Sequence, residues 1–598
     1  METEQFRDKL ADFRRDTRIL YLCASAVIIG LMSGLVAWAL LWLIAVITNL
    51  CFFGKYSSVM TTPTHHHLGG WVVLLPAVGG LVIGLMARYG SERIRGHGIP
   101  EALEAILIGR SRMDAKVAVL KPISSAISIG TGGPFGAEGP IIMTGGAFGS
   151  LFAQLFHLTS AERKTLLVAG AAGGMAAVFN TPVAAVLLAV ELLLFEWKPR
   201  SVIPVGIAVV VATALRWQLL GGGAVFPVPP HTTPTWEILG CALVVGLIAG
   251  MVSGILTNLV YFFEDTFARL PIHWMWWPAL GGLCVGVAAL FNPRVLGVGY
   301  DVIANLLAGH IDPAQSASLL IGKGLVWAIA LGSGTSGGVL APLLMMGACL
   351  GSIESPFIPF GDRALWSTVG MAAMMGGTMR SPLTAILFTL ELTHDLNATP
   401  TLLASCLVAY LFTVLVLRRS ILTEKVARRG HHISREYSVD PLDLLRCGEL
   451  MKPAPPAVPA DMTVAALSAS MSDHHSLLSA CHALPIVDGQ NNLVGIITRG
   501  DMVKAMSLGG TQTEISVLEA GSSQLIVTYP DEILSDAVAK LVTNDIGRLP
   551  VVSPEQPSTL LGMIDRTSII DARAHFLELE TNRQRLLKPH MKLSRPVN

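Results

Sequence analysis

The chain has 598 residues, of which 52% are hydrophobic and only 14% charged, and its mean hydropathy is +0.58. Soluble proteins carry about 25% charged residues, so this composition excludes a fully soluble protein and indicates a polytopic membrane protein. The formal net charge is zero, which argues against a polyanionic partner such as nucleic acid.

The charged segment 1–18 is predicted to be an amphipathic segment on the cytoplasmic side. Arg14, Arg15 and Arg18 immediately precede the first apolar stretch, and an excess of Arg and Lys marks the cytoplasmic side of a span. Basic residues flank the last apolar stretch in the same way: Arg418, Arg419, Lys425, Arg428 and Arg429. We therefore expect a multi-pass protein of the inner (plasma) membrane, with both termini in the cytoplasm.

Three stretches rich in glycine and proline interrupt the apolar region 19–430: "RGHGIPEALEAIL" (95–107), "GTGGPFGAEGP" (130–140) and "GSGTSGGVLAP" (332–342). Because these residues prevent a continuous helix, each stretch predicts a helix that begins inside the membrane. The first N–H groups of such a helix have no partner and carry the positive end of its dipole. In hydrocarbon this arrangement survives only where it lines a cavity or is buried in protein, and the ligand that suits it is an anion.

The apolar region contains an internal repeat. The stretch "NTPVAAVLLAVELL" (180–193) is similar to "RSPLTAILFTLELT" (380–393), and "GTGGPFGAEGP" pairs with "GSGTSGGVLAP" at nearly the same offset. Paired interrupted segments in two halves are typical of a transport site near the membrane midplane. Glu191 and Glu391 end equivalent helices, which predicts a shared structural role for the two.

After residue 440 the composition is that of a soluble α/β region with two similar units, predicted at 446–509 and 517–574. The first contains "ALPIVDGQNNLVGIITRGDMVKAM" (483–506) and the second "RLPVVSPEQPSTLLGMIDRTSIID" (548–571). Each reads as strand, turn, strand and helix. Residues 575–598 are predicted to form a basic tail.

The glycine-rich stretches resemble the three signature loops of the CLC chloride channel and transporter family, GSGIP, G(K/R)EGP and GxFxP. The matching residues are "GHGIP" (96–100), "GAEGP" (136–140) and "GGVLAP" (337–342). The resemblance implies an all-α polytopic membrane domain over 19–430, an inverted repeat of about 17–18 helices, many broken or partial. It also implies a homodimer with one anion pathway per subunit. The two units of the soluble region are similar to a tandem pair of CBS domains.

Glu138 matches the family's gating glutamate, whose side chain can occupy the external anion site. The position itself agrees with this role, because a carboxylate at a helix start competes with a permeant anion for one place. The resemblance assigns anion binding to nine further residues: His97, Gly98, Ile99, Gly136, Ala137, Gly139, Val339, Leu340 and Leu422.

Five positions depart from the family's pattern, and one of them, Leu340 for the usual Phe, is expected to matter little because that contact is through the main chain. His97 replaces a serine whose hydroxyl contacts the anion, Leu422 a central tyrosine, Ala137 a basic residue, and Leu192 the inner glutamate of proton-coupled members. Two outcomes stay open: a passive, channel-like conductor, which the missing inner acid favours, or an H⁺/anion antiporter that uses His97. An imidazole at this place would also suit bicarbonate or nitrate.

The resemblance to CBS domains implies an adenine-nucleotide site at Thr498 and Asp501. In the second unit Asp565 and Ser568 occupy the corresponding places, so a second site there is doubtful. The alternative is a purely structural or dimerising module. No cofactor is required for the expected function.

Two other classes of membrane protein with CBS domains compete with this interpretation. A magnesium channel needs several carboxylates facing its pore, whereas the breaks offer amides and one acid. An intramembrane metalloprotease needs HExxH to hold zinc, and "THHHLGG" (64–70) has no such glutamate. The sequence therefore predicts a channel or transporter for chloride or another small monovalent anion, not an enzyme, and no metal site.

Overall fold

The structure of the protein is a computed structural model. It describes residues 17–109, 111–156, 158–231, 233–430, 445–472, 481–508 and 515–571, and the single residues 442, 478 and 574. Most of the predicted N-terminal segment and all of the predicted basic tail lie outside the described residues. The chain divides into two compact units, Met1–Glu436 and Tyr437–Asn598.

The described part of the first unit consists of helices and the loops that connect them. Its α-helices in chain order are α1 (Arg18–Phe53), α2 (Leu74–Tyr89), α3 (Ile99–Leu107), α4 (Ala115–Gly130), α5 (Glu138–Leu155), α6 (Ser160–Phe179), α7 (Pro182–Leu188), α8 (Pro199–Leu219), α9 (Trp236–Ala268), α10 (Trp277–Phe291), α11 (Tyr300–Leu307), α12 (Pro313–Gly332), α13 (Leu340–Glu354), α14 (Arg363–Met379), α15 (Pro382–Thr393), α16 (Thr399–Val416) and α17 (Ile421–Arg428). A π-helical turn, Ala189–Leu194, follows α7.

Eight helical segments among the described residues are long and apolar enough to cross a membrane. The longest, α1, has 36 residues and is therefore about 54 Å long. This exceeds the thickness of a bilayer core, about 30 Å, so such a helix crosses the membrane at a tilt. Other helices are much too short to span, among them α3 with 9 residues and α11 with 8.

The breaks between helices fall where glycine and proline predict them. One separates α4, which ends at Gly130, from α5, which begins at Glu138. Its counterpart lies between the end of α12 and the start of α13. In the first break Gly132 has φ of 105°, a conformation open to glycine but not to other L-residues.

Two buried lysines hold equivalent loops of the two repeats. Lys121 of α4 donates from Nζ to the carbonyl oxygens of Ile94 (2.8 Å) and Gly96 (2.7 Å). In the second half, Lys323 of α12 donates in the same way to two carbonyls of the loop before α11, those of Val295 (2.9 Å) and Gly297 (2.7 Å). Each lysine satisfies carbonyl groups that an interrupted helix leaves without partners.

Each half also caps a broken helix of the other half. Glu391, near the end of α15, accepts from the backbone N–H groups of Val183 (2.9 Å) and Ala184 (2.8 Å) at the start of α7. Glu191 accepts from the N–H of Thr384 (2.9 Å) at the start of α15. The predicted shared structural role of these two glutamates is confirmed.

The second unit contains short helices and two small sheets. Its helices are α18 (Cys447–Leu450), α19 (Val464–Ser472), α20 (Arg499–Leu508), α21 (Val517–Ala520) and α22 (Leu534–Thr543), and its strands are β1 (Lys452–Pro453), β2 (Val458–Pro459), β3 (Ala483–Val487), β4 (Leu493–Thr498), β5 (Arg548–Val552) and β6 (Leu560–Asp565). The sheet orders are β1-β6-β5 and β2-β3-β4, and β3/β4 and β5/β6 are antiparallel pairs. The predicted fold class, a polytopic helical domain followed by α/β units, is confirmed.

Candidate anion site

The loops before α5 and α13 pair with each other. Gly136 and Gly338 exchange backbone hydrogen bonds, with N···O distances of 3.2 Å and 2.8 Å. A Cβ atom on Gly136 would lie 1.9 Å from Oε2 of Glu138, and one on Gly338 would lie 2.4 Å from it. Only glycine therefore lets the two loops close around this carboxylate.

Glu138 is the first residue of α5 and is fully buried. Its Oε1 accepts a hydrogen bond from the backbone N–H of Ala341, at 2.9 Å, in the first turn of α13. Its Oε2 has no hydrogen-bond partner among the described residues. The side chain of Glu138, from α5, thus lies at the N-terminus of α13, a place where an anion is stabilised.

The amide donor in this bond is one residue beyond the predicted ones. Val339 and Leu340 are buried at the beginning of α13, where backbone N–H groups have no partner within the helix. They directly precede Ala341 in the chain, and the hydrogen bond to Glu138 comes from Ala341. The sequence identifies the helix start, whereas the particular N–H depends on how the loop turns.

The loop before α3, which contains His97 and is called the His97 loop below, contacts the loops before α5 and α13. Gly96 forms a parallel bridge with Ser336 of the loop before α13. A Cβ atom on Gly139 would lie 1.7 Å from the carbonyl oxygen of His97, so the start of α5 touches the loop before α3. His97 is 2% exposed, and its Nδ1 has no hydrogen-bond partner among the described residues.

The remaining predicted residues around these loops are buried. Ile99 is the first residue of α3, Ala137 precedes α5, and both have no exposed surface. Gly98, which has φ of 90°, precedes α3 and donates from its N–H to Oε2 of Glu101 at 2.9 Å. Three helix starts, those of α3, α5 and α13, therefore meet at one place.

Leu422 lies in the first turn of α17, which packs against α3, and is fully buried. It brings no hydroxyl to the site. A tyrosine that sequence reasoning missed, Tyr261 of α9, donates its hydroxyl to the carbonyl oxygen of neighbouring Ile421 at 2.5 Å. This hydroxyl holds the start of α17.

A cavity of about 470 Å³ opens next to the His97 loop. Its wall includes Gly96, His97, Glu101, Tyr261 and Lys425. Sequence reasoning missed Glu101 as a site residue and assigned Lys425 only to membrane orientation. Nζ of Lys425 lies 2.8 Å from Oε1 of Glu101. These two residues are more than three hundred positions apart in the chain, so no local sequence pattern could reveal their ion pair.

Leu192 lies in the π-helical turn Ala189–Leu194 and is fully buried. It belongs to the main apolar core of the first unit. Its neighbour Glu191 is engaged with Thr384 of α15. Leu192, where the resemblance predicts that an inner glutamate is missing, therefore lies in apolar surroundings.

In the second unit, Thr498 and Asp501 lie together at the end of β4 and the start of α20. Oδ2 of Asp501 accepts from the N–H (2.9 Å) and the hydroxyl (2.7 Å) of Thr498. Asp501 is thus held in one position at the strand end, and its outer surface remains partly accessible.

The corresponding place near the end of β6 is more crowded. Oδ1 of Asp565 accepts from the N–H of Ser568 at 2.9 Å and lies 3.3 Å from Nζ of Lys452. Burial acts to raise the pKa of Asp565, but the hydrogen bonds from Thr567, Ser568 and Lys452 outweigh it and lower this pKa to about 2. The carboxylate is ionised and occupied by its own neighbours.

Comparison with known proteins identifies the family. The family described as "voltage gated chloride channel" matches residues 79–414, and the CBS domain matches residues 447–508 and 518–575. The chain therefore belongs to the voltage-gated chloride channel (CLC) family and carries two CBS domains.

Among its relatives is the voltage-gated ClC-type chloride channel ClcB of Citrobacter koseri, 30% identical over 68% of this chain and 97% of the relative. The H⁺/Cl⁻ exchange transporter ClcA of the same organism is 28% identical over 67% of this chain and 86% of the relative. A solved structure of a slow cyanobacterial Cl⁻/H⁺ antiporter is similar in fold, with a TM-score of 0.60 and 22% identity over 68% of this chain and 97% of that one.

Proposed function

We propose that the chain forms membrane-embedded homodimers in which each subunit moves chloride, or another small monovalent anion, past the three converging helix starts. The observation that carries this proposal is the bond from the Ala341 N–H to the buried carboxylate of Glu138. A carboxylate held by a backbone amide at a helix start stands where a permeant anion would be stabilised. Glu138 is the gate, because it must leave before the anion enters.

The relatives include both a channel and a proton-coupled exchanger. We propose channel-like conduction with weak or absent proton coupling, because Leu192 supplies no titratable group at the inner end of the path. The second candidate is a carrier selective for bicarbonate or nitrate, or an H⁺/anion antiporter that uses His97. The buried, unpartnered Nδ1 of His97 favours this second candidate, since it offers a group able to exchange a proton or donate to an oxyanion.

We further propose that the protein lies in the inner (plasma) membrane with both termini in the cytoplasm, and that the CBS domains regulate it or stabilise the dimer. Thr498 and Asp501 would bind the ribose of an adenine nucleotide. The geometry at Asp501 supports one such site, and the contact of Lys452 with Asp565 disfavours a second.

The test is anion flux from purified protein in liposomes, with simultaneous recording of external pH. Wild type should release chloride in a pH-dependent manner, without stoichiometric proton movement. Glu138→Gln and Glu138→Ala remove the competing charge, so both should retain flux and lose its pH dependence. Loss of flux in Glu138→Ala, with the protein folded and dimeric, would show that Glu138 is not the gate.

A further inference from the structure

Tyr300 is the first residue of α11 and carries a buried hydroxyl group. The hydroxyl oxygen has no hydrogen-bond partner among the described residues. The ring packs edge to face against Phe179 and Phe226, with centroid distances of 6.3 Å and 5.8 Å. A buried hydroxyl without a partner costs free energy, so a phenylalanine would serve this packing at least as well. The aromatic packing therefore does not account for the hydroxyl.

The Tyr300 hydroxyl belongs to a series of buried polar groups that begins at Glu138. The Glu138 carboxylate lies within electrostatic range of this hydroxyl, and its Oε2 has no partner among the described residues. The guanidinium group of Arg216, near the end of α8, lies within electrostatic range of Tyr300 on its other side, and its buried Nε also has no partner there. A carboxylate, a hydroxyl donor and a cation are thus close together, and each has a polar atom that is not engaged.

Tyr300 lies towards the side of the membrane unit that is opposite to the N-terminus. Arg18, at the start of α1, pairs with Glu162 in the first turn of α6 at 3.1 Å. Helix α6 has 20 residues and is therefore about 30 Å long, so its last residue, Phe179, lies at the other side. Because Tyr300 contacts Phe179, its hydroxyl lies towards the outer side in the proposed orientation.

The Glu138 carboxylate needs a second donor when it leaves the N–H of Ala341, because an unpaired buried charge is costly. The neighbouring rings of Phe179 and Phe226 supply no donor. The Tyr300 hydroxyl can donate, and the positive charge of Arg216 favours a carboxylate beside it.

We propose that Tyr300 is the positioning residue of the open gate: its hydroxyl receives the Glu138 carboxylate when this carboxylate gives up the Ala341 amide to the permeant anion. The hydrogen bond stabilises the open state, and the charge of Arg216 strengthens it. This proposal rests on the proposed function in anion transport and names the place to which its gate moves.

The experiment measures chloride flux from liposomes that contain the full-length protein, as a function of chloride concentration. Tyr300→Phe keeps the ring but removes the donor, so the open gate is less populated and Glu138 competes more strongly with chloride. The concentration that gives half-maximal flux should rise about tenfold, whereas flux at saturating chloride should equal that of wild type. A lower maximal flux or thermal unfolding midpoint without this rise would indicate a structural role and would overturn the proposal.

A double-mutant cycle with Glu138→Ala shows whether the hydroxyl acts through the gate. Glu138→Ala removes the group that Tyr300 would hold, so Tyr300→Phe should have no further effect on half-maximal flux in that background. An equal rise in both backgrounds would mean that the hydroxyl acts on the permeant anion or on the packing, and the open-gate role would be wrong.

Two charge variants test the contribution of Arg216. Arg216→Gln removes the cation beside Tyr300 and should raise the half-maximal concentration in the same direction as Tyr300→Phe. Arg294→Gln is the matched control, because Arg294 is exposed and donates to Gln315 at 3.2 Å, and it should leave this concentration unchanged. An equal rise in both variants would assign the effect to general surface charge and would exclude Arg216 from the open gate.

The outcomes separate this proposal from the proposed function. Chloride flux in wild type, with Tyr300→Phe indistinguishable from it, would contradict the role of Tyr300 only. Absence of anion flux from wild type would contradict the proposed function and the role of Tyr300 with it.

Discussion

At the scale of single residues, His97 distinguishes this chain from the family pattern. The imidazole stands where the resemblance predicts a hydroxyl, near the starts of α3 and α5, and it is buried, with no hydrogen-bond partner for Nδ1 among the described residues. A neutral imidazole can donate or accept but does not do both at one nitrogen. Its tautomer therefore decides whether Nδ1 presents a donor or an acceptor.

His97→Ser should restore a hydroxyl donor and shift selectivity toward chloride, away from oxygen-bearing anions such as nitrate and bicarbonate. The measurement is the flux of each anion from liposomes with simultaneous pH recording. An unchanged selectivity series would remove His97 from the anion site. Stoichiometric proton movement in wild type that disappears in His97→Ser would instead establish the antiporter that uses this histidine.

The sequence predicts the residues whose role follows from their position along a helix. It does not predict the residues whose role depends on a partner far away in the chain. Glu138 is found because it starts a helix after a glycine-rich break. Glu101 also lies at the start of a helix, after "GHGIP". Nothing in the sequence near Glu101 indicates that its ion-pair partner is Lys425 of α17. Lys121 is one of two lysines in the otherwise uncharged helix α4, and its carbonyl partners become apparent only in the folded chain.

At the scale of elements, the repeat is held together by contacts that cross between its halves. Glu391 of α15 caps α7, and Glu191 caps α15. A carboxylate that accepts from backbone N–H groups satisfies donors that would otherwise be unpaired in a membrane. The repeat and the helix ends follow from the sequence, but the exchange of caps between halves follows from their packing.

Replacing either cap should destabilise the first unit by a similar amount. Each charged hydrogen bond contributes about 1.5–3 kcal/mol, so Glu391→Ala and Glu191→Ala should both lower the thermal unfolding midpoint in detergent, and the glutamine variants should lower it less. Glu237→Ala, at an exposed position in the first turn of α9, serves as the control. Midpoints equal to that of wild type would show that these caps do not stabilise the fold.

At the scale of the whole molecule, the chain contains two units that differ in composition, one apolar and helical and the other of soluble α/β type. The membrane unit is predicted from apolar length and glycine breaks, and the second unit from alternating strands and charged helices. The packing of α17 against α3 could not be predicted, because α17 is a short amphipathic helix that lies far from α3 in the sequence, close to the end of the first unit.

Nucleotide binding by the second unit should depend on Asp501 and not on Asp565. Removal of a charged hydrogen bond to ribose costs about 1.5–3 kcal/mol, so Asp501→Ala should weaken the affinity for ATP by about tenfold or more. Asp565→Ala should leave it unchanged, because Lys452 and Ser568 already occupy that carboxylate. Calorimetry on the full-length protein measures both, and no heat of binding with wild type would favour a structural module.

The exchange of caps has a consequence for the order in which the protein is made. The N–H groups of Val183 and Ala184 are synthesised long before Glu391, their acceptor. At 5–20 residues per second the ribosome needs about 10–40 s to reach that glutamate. Throughout this interval the start of α7 depends on water, lipid headgroups or the insertion machinery for its acceptors, so the first half cannot complete its membrane structure until the second half has been translated.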